Sequence, residues 1–224
     1  MRKLLLSLCA ISLTACVPQK HATDIEIVQK PIIFDQQRKA LTLQYMQERY
    51  GIEQDEPTIN PTMVVVHWTV IPTLEKTFDA FNPAVLPSHR DGIKAGGALN
   101  VSSQFVIDRD GTIYQFLPET TMARHVIGLN YTAIGIENIA DGKTLPMTDA
   151  QLDANAKLIQ YLAAKYPIDY VIGHSEYQQF KGTALWKEKD DNYLTHKTDP
   201  DLAFMHKLRD RLSGLNLKPL PQSK

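Results

Sequence analysis

Residues 63–69 read MVVVHWT. Three consecutive valines leave a strand no polar side, so it must be buried on both faces, as the central strands of a sheet covered on two sides are. Two further apolar runs follow, AIGIENI at 133–139 and YVIGH at 170–174. Between the first and second lies VSSQFVIDRDGTIYQFL, residues 101–117, which alternates on either side of Asp110-Gly111 and reads as a hairpin turning at that dipeptide. Helical patterns separate the strands. Thr148 opens one in which Leu152, Ala156, Ile159, Leu162 and Ala163 recur at helical spacing until Pro167 ends it. Strands alternating with helices around a hairpin predict an α/β fold: a single domain with a central mixed β-sheet flanked by helices. A chain of 224 residues, 43% hydrophobic and 22% charged, has room for one good-sized core.

The remaining segments are read from local signals. Residues 35–50 place Leu41, Leu43, Tyr45, Met46 and Tyr50 on a loosely helical pattern, with Gly51 where a C-cap belongs. They form an N-terminal helical extension, 35–60, closed by the turn at Asn60-Pro61. Pro72 to Phe81 predicts a short helix with proline in its first turn. The Pro- and Gly-rich stretch 83–100 reads as a long surface loop. Residues 201–212 form a last amphipathic helix, and 213–224 a short tail.

The first residues stand apart from the fold. Arg2 and Lys3 precede the apolar run LLLSLCAISLTA, too short for a stable membrane span. Leu13-Thr14-Ala15-Cys16 resembles a bacterial lipobox, which implies a signal peptide over 1–15 and a lipidated Cys16; a plain secretory signal cut at a small residue is the alternative. Residues 16–34 then serve as a membrane tether. Val17 follows the cysteine where an aspartate would signal inner-membrane retention, so the expected location is the outer membrane, facing the periplasm. Cys9 lies in the removed segment and Cys16 would carry lipid, so no cysteine remains for a disulfide or a metal. Without Arg2 and Lys3 the 24 basic residues fall to 22 against 25 acidic ones, a balance of −3. No basic field argues for nucleic acid. A monomer is the default expectation.

Several residues bear chemistry. Two strands end in histidine, at His67 and His174. His196-Lys197-Thr198-Asp199-Pro200 precedes the last helix, and Glu137 sits inside an apolar strand, where a carboxylate is costly unless paired. Singly, each has an ordinary explanation: a satisfied histidine, a solvent-facing glutamate, a capped helix start. Together they supply what a hydrolytic zinc site needs, namely three ligands from His and carboxylate, a general base, and a cation for the oxyanion.

The segments VVVHWT, VSSQFVIDRDGTIYQFLPE, ARHVIG, AIGIENI, VIGHSE and KTDP, in that order from about Thr62 to Leu212, resemble those of the zinc-dependent N-acetylmuramoyl-L-alanine amidases. This AmpD-like family includes phage amidase lysozymes and peptidoglycan recognition proteins. The resemblance implies an amidase domain over 35–212 that binds one zinc ion per chain through His67, His174 and Asp199. It implies Glu137 as general base and Lys197 as the cation at the oxyanion. The substrate would be peptidoglycan or a muropeptide, cut between the lactyl group of N-acetylmuramic acid and L-alanine, in wall turnover or recycling. Some relatives keep the fold and only bind muropeptides, which makes a non-catalytic binding lipoprotein the alternative. The absence of HExxH removes the commonest zinc peptidase.

Three expectations concern substrate contacts. His125 lies where the family has a histidine lining the cleft. Gln104 takes a place where many members carry His or Tyr; it ligates zinc poorly but can hydrogen-bond a substrate. Between His174 and Asp199 about two dozen residues intervene, more than in compact members. Their aromatics, Trp186 among them, predict an ordered flap over the cleft, or alternatively a segment pinned to the body. His196 is set aside as a ligand, and His21, His89 and His206 are read as surface residues.

Overall fold

The computed structural model describes residues 25–222. The segment carrying Cys16, with the expected signal peptide, lies outside the described residues, as does His21. Six strands form one mixed sheet among the described residues: β1 (Val28–Gln29), β2 (Met63–Trp68), β3 (Phe105–Ile107), β4 (Ile113–Gln115), β5 (Ala133–Asn138) and β6 (Tyr170–Gly173). Their spatial order is β1-β4-β3-β5-β2-β6. Every pairing is parallel except the β3–β4 hairpin. The helices are α1 (Gln36–Tyr45), α2 (Leu74–Phe81), α3 (Asp149–Lys165) and α4 (Leu202–Arg211).

The three valines sit at the sheet's centre, as their pattern requires. Val64 and Val66 face one side, with Ile134 and Ile136 of β5, and pack on Leu158, Ile159 and Leu162 of α3 and Phe204, Met205 and Leu208 of α4. Met63 and Val65 face the other side, against Val126, Leu129, Tyr177 and Phe180. His67 continues the face of Met63 and Val65, because side chains alternate along a strand.

Helix termini follow their capping chemistry. Thr148 caps α3 with Gln151 in a reciprocal capping box, and Asp201 caps α4. The extension helix runs through a wider π turn, Met46–Tyr50, and stops at Gly51, whose φ of 67° is the left-handed conformation expected of a C-cap. Helix α2 begins later than its proline suggested: Thr73 accepts a bond from Lys76 N and is the N-cap, leaving Pro72 outside.

Two boundaries read from polarity are corrected. Residues 25–34 are not free tether. Val28 and Gln29 pair with β4, Lys30 N and Ile32 N donate to Gln115 and Phe116, and Ile32 is 3% exposed. Backbone pairing and one buried isoleucine hold a segment whose composition is that of a linker. The 213–224 tail is also docked as far as Leu220: Leu215 and Leu217 pack on the main core, Lys218 pairs with Asp169, and Leu220 packs on the opposite face of the sheet.

Arg38 joins the extension to the body. It is 1% exposed, and one of its nitrogens donates to the carbonyls of Phe81 at 2.7 Å, Asn82 at 2.9 Å and Pro83 at 2.7 Å, closing the C-terminus of α2. Arg38→Ala strips three carbonyls of their donor and opens a cavity. The expected cost is about 2–4 kcal/mol, read as a lowered midpoint in urea denaturation.

Candidate active site

The parallel strands deliver their C-terminal ends to one place, where α/β sheets gather ligand-binding groups. His67 is the penultimate residue of β2, and Glu137 lies beside it in register on β5. Residues paired across parallel strands project from the same face, so imidazole and carboxylate share one side of the sheet. His174 follows β6 directly and opens a 3-10 turn. Glu176 stabilises that turn by accepting Gly173 N at 2.7 Å while Arg209 of α4 holds its other contact. Asp199 arrives from the segment before α4; its carbonyl accepts Ser175 N at 2.8 Å, which fixes it against His174.

Three donor atoms converge. His67 Nδ1 and His174 Nδ1 lie 2.9 Å apart, and Asp199 Oδ2 lies 3.3 Å from the first and 3.1 Å from the second. All three residues are buried. A tetrahedral ion with bonds of about 2.0–2.1 Å separates its ligand atoms by about 3.3 Å. Two imidazoles and one carboxylate, with a fourth position open, also form a donor set suited to hydrolytic zinc. The residues therefore fit the ion in both spacing and chemistry.

Their protonation suits it too. Burial, with His67 beside it, pushes the His174 imidazolium down to about 3, so the ring is neutral at pH 7. Burial works against charge on Asp199, but hydrogen bonds to His174 and His67 outweigh it and hold the carboxyl well below the usual carboxylate range.

His125 sets which nitrogen of His67 is bare. Its Nε2 lies 3.2 Å from the carbonyl of Ala133, which can only accept, so that nitrogen carries the hydrogen. Burial keeps the ring neutral, with its pKa well below the usual histidine value. Its Nδ1 then accepts from His67 Nε2–H at 3.1 Å, which leaves His67 Nδ1 free for a metal. His125 lines the cleft, yet both its ring nitrogens are spent on the protein, and it is a positioning residue. The ring lies against Gly135, where an added Cβ would stand 2.8 Å from His125 Cγ. Gly135→Ala is expected to push the ring off His67 and weaken zinc binding by roughly 10- to 100-fold, measured by competition with a chromogenic chelator.

Glu137 is 9% exposed, and its Oε2 is buried with no hydrogen-bond partner among the described residues. Burial raises its pKa; His67 pulls it back, Asp199 pushes it up, and Lys197 and Arg90 lower it. Lys197 stands half-buried on the same cleft, its ammonium unpaired among the described residues. A carboxylate beside the converging donors and an ammonium on the same cleft are groups of the kind that amide hydrolysis can use.

A family model described as N-acetylmuramoyl-L-alanine amidase matches residues 55–201, more than half of the chain. The chain belongs to this amidase family. Among solved structures, the N-acetylmuramoyl-L-alanine amidase LysC from Clostridium intestinale URNW is similar in fold: TM-score 0.53 at 20% identity, over 87% of this chain and 100% of that one. A selenomethionine AmpD derivative is 26% identical over 68% of this chain and 84% of its own, with a TM-score of 0.48. Human PGRP-IBETAC in complex with glycosamyl muramyl pentapeptide is 18% identical over 61% of this chain and 86% of its own, with a TM-score of 0.42. No curated protein matches.

Two expected contacts lie elsewhere in this amidase-family chain. Gln104 is fully buried; its amide nitrogen donates to Thr121 O at 2.8 Å and its oxygen accepts Gly135 N at 2.7 Å. It bridges two backbone segments, is wholly buried and does not line the cleft. Trp186 faces away from the cleft, stacked on Tyr177 at 6.0 Å and over Gly128. With the buried Tyr177 and Phe180 it pins the 177–197 segment to the body. That segment is a fixed cleft wall, to which Tyr193 and Thr195 contribute. His196 is exposed at the cleft edge, and His89 and His206 are exposed.

The opposite wall was missed in the sequence. Arg124 is 3% exposed and donates to Gly97 O and Leu99 O with one nitrogen, and to Ile93 O and Tyr193 Oη with the other. It staples the 83–100 loop to the 177–197 segment. Gly96 is required there, since a Cβ would fall onto the Arg124 guanidinium and the Tyr193 hydroxyl. Nothing in a Pro- and Gly-rich stretch announces such a partner.

Proposed function

We propose that the chain is a zinc-dependent N-acetylmuramoyl-L-alanine amidase. It hydrolyses the amide between the lactyl group of N-acetylmuramic acid and the L-alanine of the stem peptide. The observation that carries this reading is the convergence of His67 Nδ1, His174 Nδ1 and Asp199 Oδ2 beside a buried, unpartnered Glu137. A zinc ion bound there supplies Lewis acidity and lowers the pKa of water. Glu137 takes a proton from the attacking water and passes it to the departing amine of L-alanine, so the C–N bond breaks with both fragments neutralised. Lys197 faces the amide oxygen and stabilises the negative charge that forms on it. His125 keeps His67 in the tautomer that leaves its Nδ1 free.

Lipidation of Cys16 would anchor this activity in the outer membrane, facing the periplasm, where peptidoglycan and its turnover fragments lie. The test is to incubate the protein with a muramoyl tripeptide and follow products by mass spectrometry. Release of free peptide beginning with L-alanine, lost with a chelator and restored by zinc, supports the amidase. Substrate bound but never cleaved makes the chain a muropeptide-binding protein instead.

A further inference from the structure

Arg90 is the described arginine whose guanidinium has no partner among the described residues. All the others donate to carbonyls or pair with carboxylates. Arg90 is half-buried, lines the cleft together with Glu137 and Lys197, and stands just before the 3-10 turn Asp91–Gly96. Its position is not loose. Its own N–H donates to Pro87 O at 3.1 Å, and the turn behind it is held through Ile93 O and Gly97 O by Arg124. An unpaired guanidinium, partly withdrawn from water on a braced wall, is costly until an anion meets it, and its fork of donors matches a carboxylate.

We propose that Arg90 determines specificity by receiving the stem-peptide carboxylate nearest the scissile amide of the substrate. This inference rests on the amidase reading. The chemistry of the substrate selects the peptide side. The only carboxyl of N-acetylmuramic acid is consumed in the scissile amide, so the sugar carries no charge. The anionic groups of a muramoyl peptide lie beyond the L-alanine. Glu137 also senses the charge of Arg90, consistent with the two facing one space.

The experiment compares two muramoyl tripeptides that differ at one position: the carboxylate nearest the scissile amide is free in one and a carboxamide in the other. Zinc-loaded protein should favour the carboxylate in kcat/KM by roughly 10- to 100-fold, the range of a charge-assisted hydrogen bond. Arg90→Gln should lower kcat/KM for the carboxylate substrate alone and erase the preference; Arg90→Lys should restore part of it. Equal cleavage of both substrates by the wild type overturns the role of Arg90 and leaves the amidase reading intact. So does an Arg90→Gln protein that loses the same factor on both, or keeps the preference. If neither substrate is cleaved, the amidase reading fails. Calorimetric titration of the same two peptides into wild type and Arg90→Gln then decides: a carboxylate preference present only in the wild type upholds Arg90, and none overturns it.

Discussion

Replacing Glu137 by glutamine is expected to lower kcat by roughly a hundred- to ten-thousand-fold, the usual contribution of a positioned general base. Zinc content should not change, because Glu137 is not one of the three converging donors. The substitution keeps the shape of the side chain while removing its charge and its ability to take up a proton. The stability of the metal-free protein gives a second readout, with a defined sign. Burial raises the carboxyl's pKa above its ordinary value, so its ionised form at pH 7 is a cost to folding. Glutamine removes that cost, and the variant's melting temperature should equal or exceed that of wild type. A residue with a purely structural task would show the reverse pattern: stability lost and turnover spared.

The second large effect is loss of the ion. His174→Ala removes a donor from a cluster whose geometry needs all three, and both zinc binding and amide cleavage should fall to background. Added zinc should rescue chelated wild type and not the variant. The same histidine makes an acid prediction. Its pKa in the folded chain, about 3, lies below the ordinary value of 6.5. Between those values the unfolded chain binds a proton that the folded chain refuses, so the contribution is complete above 6.5 and is lost as pH falls toward 3. Asp199, whose pKa is also depressed, adds to the loss below the ordinary carboxylate range. Melting curves of metal-free protein should fall steadily across this window. A flat profile between pH 6.5 and 4 would show that His174 is already protonated in the fold.

Much of the architecture was legible because it rests on periodicity. Three valines bury on both faces wherever they sit in a chain this size, and Thr148 with Gln151 forms its capping box from local chemistry alone. The three residues that converge, His67, His174 and Asp199, were legible from residue type at element ends, read with a family resemblance. What stayed hidden depends on tertiary partners. Gln104 and Trp186 are polar or amphipathic residues whose hydrogen bonds and stacking are taken up by the backbone of Thr121 and Gly135 and by the ring of Tyr177. His125 was placed at the cleft, but that both its nitrogens are spent follows from Ala133 and His67 meeting it from separate segments. Val28 and Gln29 join the sheet through main-chain bonds, which carry no side-chain signal.

That last pairing sets a leash length. The described body begins at residue 25, so only eight residues, nine Cα–Cα steps, separate it from Cys16. Fully extended they reach about 30 Å. With Cys16 lipidated as proposed, residue 25 stays within about 30 Å of the membrane surface, and the cleft can travel no further out than that reach plus the width of the body. Its working concentration of substrate is then set by how much wall material enters that zone. Lengthening the linker by ten Gly/Ser residues would widen the territory without touching the cleft.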